Sequence, residues 1–292
     1  MRQLRGELLQ QEPMGPHCSW RTGGVVKQLF RPVDIDDLQQ FLQQLVDEEQ
    51  LIWVGLGSNL LVRDGGFDGS VILTKGRLQQ IEISDDMLSA QAGVNCAKVA
   101  RETARQGYCG LEFFAGIPGT IGGALAMNAG AFGGETWENV IKVETIDRHG
   151  TIRSRLPEEF EVHYREVKAP VDEYFLRGWF CLQRGDVNKA QQKIRQLLER
   201  RAQTQPTTQA SCGSTFRNPE GDFAARLIES AGLKGYCIGG ACVSEKHANF
   251  IINRGSATAT DIEQLMEYVQ QQVLRQSSTS LQAEVHIVGE AA

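Results

Sequence analysis

Glycine is clustered in this chain, and the two densest runs restrict the folds open to it. Of 31 glycines, one group lies between Gly55 and Gly76 and a denser one between Gly107 and Gly134. The denser run contains GIPGTIGGA (116–124) and then MNAGAFG (127–133), a stretch almost bare of side chains. Pro118 fixes the entry and Gly119 permits a positive φ. Thr120 starts a helix whose first N–H groups are expected to face an anion. Gly116, Gly122, Gly123 and Ala124 allow close approach of backbone or ligand. With Asn128, Ala129 and Gly130, the run suits a pyrophosphate joined to a flat ring system.

The earlier run reads VGLGSNLLV (54–62). It follows a strand, but it lacks the third glycine and the helix of a dinucleotide-binding Rossmann fingerprint. Gly55 and Gly57 allow N–H groups to converge on a phosphate, and Ser58 and Asn59 add side-chain donors. A structural tight turn is the other reading of that segment. A third segment, CGSTFRNP (212–219), places Ser214 after two small residues and before Arg217 and Asn218. Pro219 disfavours helix at Asn218, so a rigid loop aimed at an anionic ligand is expected. Alone, it is equally an ordinary Gly–Ser turn.

Length, 292 residues, suggests two domains. Charge −6 argues against nucleic acid as the main partner. No segment is apolar for the ~20 residues a membrane span needs, and the N-terminus lacks a signal-peptide core. A cytoplasmic protein without an obligate protein partner is expected. Seven cysteines without a CxxC pair suggest reduced thiols, with Cys212 a buried filler. The five scattered histidines offer no metal site.

Periodicity gives the coarse organisation. Asp34 caps a helix over 35–48, and residues 51–54 and 71–74 are strands. Residues 80–91 form a strand pair. Asn95 caps a helix over 96–106 that Gly107 ends. Residues 139–155 form a hairpin turning at Arg148-His149-Gly150, and 174–182 is a buried strand. Asp186 then caps a polar helix, and Asp222 caps a short one ended by Gly232. A capping box at Thr260–Glu263 opens a helix to about Arg275, and 281–288 is a final strand. The domain boundary falls near 186, giving domains 1–186 and 187–292.

The three glycine-containing motifs, in this order and with Arg21-Thr22-Gly23-Gly24 upstream, resemble those of the UDP-N-acetylenolpyruvoylglucosamine reductases. These are the MurB flavoenzymes of peptidoglycan synthesis. The resemblance runs to the closing segment Glu284–Gly289. It implies an α+β chain: an FAD-binding fold of the vanillyl-alcohol oxidase type, then a MurB-type C-terminal α/β substrate domain. It implies noncovalent FAD held by Arg21 and the two glycine loops, and NADPH as hydride donor. The substrate implied is UDP-N-acetylglucosamine enolpyruvate. Catalytic roles carry over to Arg165, Ser214 as proton donor, and Glu284. Substrate contacts carry over to Tyr164, Arg217, Asn218 and Lys234. The short separation of Arg165 and Ser214 resembles the subtype lacking an inserted substrate-capping loop.

The chemistry agrees with the residue types. Reducing an enol ether conjugated to a carboxylate requires hydride at one carbon and a proton at its neighbour. An arginine stabilises the charge that builds on the carboxylate, a serine hydroxyl delivers the proton, and a protonated glutamate donates a hydrogen bond. His247 is expected to be structural or substrate-lining. The alternatives are an oxidase of the same flavin fold and a non-catalytic nucleotide-binding protein.

Overall fold

The computed structural model describes residues 3–170 and 173–292. The chain divides into two compact units. The first comprises 1–9, 29–56 and 70–200, and the second 10–28, 57–69 and 201–292. One four-stranded sheet has the order Glu7–Pro13, Val25–Arg31, Phe67–Leu73, Gln50–Val54.

The first unit is built on a five-stranded antiparallel sheet. Its order is Ile152–Arg155, Val140–Asp147, Glu173–Cys181, Met87–Gln91, Ile81–Ser84. The hairpin expected at Arg148-His149-Gly150 forms because Asp147 accepts the N–H groups of His149 and Thr151, both at 2.9 Å. Helix Cys96–Arg105 begins where Asn95 accepts the Ala97 N–H, and Gly107 follows at φ +82°. Helix Ile35–Leu42 is capped by Asp34 as expected but stops six residues short of 48. Val46, on the apolar stripe that suggested the longer helix, is 62% exposed, so no burial supports a further turn. Phe114 and Phe180 pack edge to face, and Trp137 packs on Phe160 and Phe175, where its indole N–H donates to Leu125 C=O.

The second unit carries the sheet Ala210–Ser211, Ile251–Asn253, Ala241–Val243, Cys237–Ile238 and the helices Ala224–Ser230 and Ala259–Ser277. The longer helix buries Ile262, Leu265, Met266, Val269 and Val273, a spacing of three and four that forms one face. Two residues from early in the sequence complete this core, Trp20 and Leu61, both 0% exposed. Trp20 donates its indole N–H to Ile251 C=O at 2.8 Å, and Asn253 returns a bond to Trp20 C=O at 2.8 Å. Strand Leu60–Val62 pairs in parallel with His286–Val288.

Two expectations need correction. The capping box lies at Thr258 and Asp261, not at Thr260 and Glu263. Thr260 and Glu263 are used elsewhere: Asp64 accepts from Ala259 N–H, Thr260 N–H and Thr260 Oγ1, and Glu263 holds the Arg63 guanidinium. Nor are all seven thiols reduced. Cys237 and Cys242 are disulfide-bonded, because the Gly239-Gly240 turn makes them directly opposed in a hairpin with Cα atoms 4.1 Å apart. The other five are free, and Cys212 is buried as expected.

Burial opposes charge on Asp64, but the Thr260 and Ala259 donors outweigh it and hold the carboxyl below its usual range. Its stabilising effect is therefore complete above the unfolded value of ~3.9 and lost as pH falls through the lower folded value. Asp64→Ala should cost about 1–2 kcal/mol at pH 7 in urea unfolding. The gap to wild type should shrink below pH 4; a pH-independent gap would show that the charge plays no part.

Candidate active site

Each unit gathers its own set of the residues singled out in the sequence. In the first unit, the segment 116–130 contains the short helix Ile121–Ala126, with Thr120 as its N-cap residue. Thr120, 2% exposed, has its hydroxyl buried without a hydrogen-bond partner. A Cβ on Gly55 would run into that hydroxyl, and one on Gly122 would come within 2.9 Å of the Ala92 Cβ. The expectation of free N–H groups at this helix start is corrected. Ile121 N–H donates to Val94 C=O and Gly122 N–H to Ala92 C=O, at 2.8 and 2.9 Å. The helix start is stitched to residues 92–94, which spends two of the donors an anion would have used.

Asn128 is buried at φ +42°. Its amide donates to Glu135 and to His163 C=O and accepts from Trp137 N–H. It therefore ties the glycine run to its neighbours, and only its backbone faces elsewhere. That backbone meets Arg165: the guanidinium donates to Asn128 C=O at 3.3 Å and to Gly130 C=O at 2.9 Å. Tyr164 and Arg165 form the two-residue turn of the hairpin Glu161–His163/Glu166–Lys168, with Arg165 at φ +58° and its guanidinium over the Tyr164 ring. A non-glycine residue in that conformation costs about 1–3 kcal/mol, which the guanidinium contacts offset.

In the second unit, residues 214–217 run antiparallel to 282–285. Glu284 N–H donates to Thr215 C=O and Arg217 N–H to Gln282 C=O, both at 2.9 Å, with Phe216 bridged to Ala283. Glu284 is thereby set opposite Thr215, the residue after Ser214. Asn59 joins the group, donating its amide to Glu284 C=O at 2.9 Å while its own C=O accepts from His286 N–H. Burial, with the nearby Glu284 charge as a lesser cause, pushes the Cys212 thiol far up, which favours the neutral thiol of a buried filler.

Gly57 is bare for a reason the sequence did not give. It sits at φ +61°, its C=O accepts from Ser19 N–H, and a Cβ would run into the His17 carbonyl. The close approach is to the chain's own backbone. Arg21 is exposed at φ +59°, and Ser58 is half-buried. Asn218 accepts from Ala224 N–H at 3.1 Å and so caps helix Ala224–Ser230. Asp222, the cap expected there, instead accepts from Phe223 N–H and pairs with Arg226. Lys234 pairs with Glu229 at 3.0 Å. His247 lies edge-on to Phe250 with Nδ1 buried and unbonded, and burial lowers its basicity. Sequence reading passed over Asn249, which nothing distinguishes locally from any other asparagine but which is 3% exposed and bonds the Ser214 loop.

The orphaned, buried Thr120 hydroxyl fits a bound phosphate-bearing cofactor, and residues 26–154 match the FAD-binding domain family. Residues 205–288 match the C-terminal domain of UDP-N-acetylenolpyruvoylglucosamine reductase. The class is thus an FAD-binding oxidoreductase with an α+β fold. Reductases of that name from Alkalilimnicola ehrlichii and Legionella pneumophila strain Corby are 55% and 56% identical to this chain. The alignments cover 98% of it and 96% and 94% of those proteins. The crystal structure of the UDP-N-acetylenolpyruvylglucosamine reductase (MurB) from Thermus caldophilus superposes with a TM-score of 0.83 at 30% identity, covering 97% of this chain and 98% of that one. The chain belongs to the UDP-N-acetylenolpyruvoylglucosamine reductase family.

Gly57→Val should act on the fold before it acts on any ligand. Soluble yield and melting temperature should both fall steeply, because His17 backbone must move and a β-branched residue is forced to φ > 0. A variant that melts like wild type but lacks flavin would instead make Gly57 a cofactor contact alone.

Proposed function

We propose that Arg165, Ser214 and Glu284 carry the family's reaction in this chain, the NADPH-dependent reduction of UDP-N-acetylglucosamine enolpyruvate to UDP-N-acetylmuramate for peptidoglycan. Bound FAD would supply the hydride chemistry, with NADPH as the hydride donor. In the first unit the residues that would hold it are Gly55 and the backbone of 116–130; the family resemblance also assigns Arg21, Gly57, Ser58 and Asn59 to it. Thr120 offers its unbonded hydroxyl.

Arg165 offsets charge gathering on the substrate carboxylate; its guanidinium is always charged and pre-aimed by two carbonyls. Ser214 holds the proton that completes the second carbon. Glu284, opposite Thr215, is fixed at both backbone groups and offers its carboxyl as a hydrogen-bond donor to the substrate. Tyr164, Arg217, Asn218 and Lys234 bind the sugar nucleotide, with Lys234 leaving Glu229 to do so. Cofactor binding falls mainly to 1–186 and substrate binding to 187–292. The compartment is the cytoplasm, where NADPH is supplied; among the described residues no helix is long and apolar enough to cross a membrane.

The observation that carries this reading is the bond from Glu284 N–H to Thr215 C=O, which ties the proposed carboxyl's backbone to the residue that follows the proposed proton donor. Stopped-flow absorbance of each half-reaction tests it. Ser214→Ala should let NADPH reduce the flavin at the wild-type rate, then slow reoxidation by the enolpyruvyl substrate about 10²–10⁴-fold. Slow flavin reduction with normal reoxidation would move Ser214 to nicotinamide binding.

A further inference from the structure

We infer that Asn249 is a positioning residue for Ser214, acting through the backbone of the two residues that follow it; this rests on the reading of Ser214 as proton donor. Asn249 is 3% exposed and spends its whole amide on one residue. Phe216 N–H donates to its Oδ1 at 2.9 Å, and its Nδ2 donates to Phe216 C=O at 2.8 Å. Its own C=O accepts from Thr215 N–H at 2.8 Å. A second bond from the same segment, Ile251 N–H to Thr215 Oγ1 at 3.3 Å, lies beside it. Thr215 and Phe216 are 0% and 1% exposed.

The consequence is a rail with two sides. One flank of 215–217 is held by Glu284 and Gln282, the other by Asn249 and Ile251. The Asn249 side chain bonds Phe216 as a neighbouring strand would, since an amide offers an acceptor and a donor just as a peptide group does. Aspartate lacks the donor, and glutamine is one carbon too long for the same reach. Ser214, half-buried, is the next residue outward from the rail. A proton donor must meet its carbon within a fraction of an ångström, and a misplacement of about 1 Å costs on the order of 10²-fold. Without Asn249, the Phe216 N–H and C=O would be buried unpaired, and the loop would shift to find partners.

The test uses the flavin-loaded full chain. Asn249→Ala should slow reoxidation by the enolpyruvyl substrate about 10²-fold, leaving the rate of flavin reduction by NADPH and the substrate KM near wild type. In a Ser214→Ala background the same change should add nothing further, because its effect passes through the hydroxyl already removed. Equal slowing of both half-reactions, or full additivity with Ser214→Ala, would mark Asn249 as a general packing residue and overturn the inference. Should Asn249→Ala fail to fold, Thr215→Val removes one bond of the same rail while keeping shape, and it should give the same split in weaker form; its absence there overturns the inference equally. Normal reoxidation in Ser214→Ala alone would sink the assignment of Ser214, and the role of Asn249 with it. A slow Ser214→Ala beside a normal Asn249→Ala would sink the role of Asn249 only.

Discussion

Residues 282–288 hydrogen-bond on two sides in succession, and the second unit depends on that. Gln282 and Glu284 pair with 215–217, and then His286–Val288 pair with Leu60–Val62. Glu284 stands at the changeover, its N–H given to Thr215 and its C=O taken by the Asn59 amide. Its Cα is therefore placed by main-chain bonds, which do not change with protonation of the carboxyl. A residue that has to trade a proton or a hydrogen bond during turnover gains from being held this way. Ser214 has the same kind of support, since its neighbours Thr215 and Phe216 are bonded and it is the residue at the edge.

The first unit solves a similar problem by a different route. Arg165 is not on a long strand but at the tip of a short hairpin, in a conformation that side chains avoid. The guanidinium bonds to Asn128 and Gly130 carbonyls clamp the tip to the glycine run, while Asn128 clamps the run to His163 one residue before the turn. The loop and the hairpin thus fix each other. A lysine would supply the charge and donors from one compact nitrogen, whereas Arg165 reaches the two carbonyls from two nitrogens of a planar fork.

Much of this was legible because it is local. Caps at Asp34, Asn95 and Asp186, the Arg148–Gly150 turn and the long apolar faces follow from spacing within a dozen residues. The glycine clusters were legible as places of close approach, and the motif order carried the family. What failed was partner identity across distance. Gly57 is bare because of His17, and the N–H groups after Thr120 go to 92–94. Asp64 takes Thr260 away from the capping box written beside it. The Cys237–Cys242 pair was readable from the two glycines between, had the spacing been taken as a hairpin rather than tested only against CxxC. Asn249 left no trace, since a single asparagine carries no pattern until its partner 33 residues away is known.

The core of the second unit has a timetable written into it. Trp20 and Leu61 leave the ribosome early, yet they pack among residues 212–285, and the parallel partner of Leu60–Val62 ends only at Val288. Until His286–Val288 has been made, an indole and an apolar strand edge lack these partners, while every segment of the first unit has been made by residue 200. Such long-range closure folds slowly and leaves sticky intermediates. The nascent chain is therefore most exposed to aggregation or chaperone capture between the making of residue 200 and that of residue 288. A premature stop before His286 leaves the edge of Leu60–Val62 open permanently.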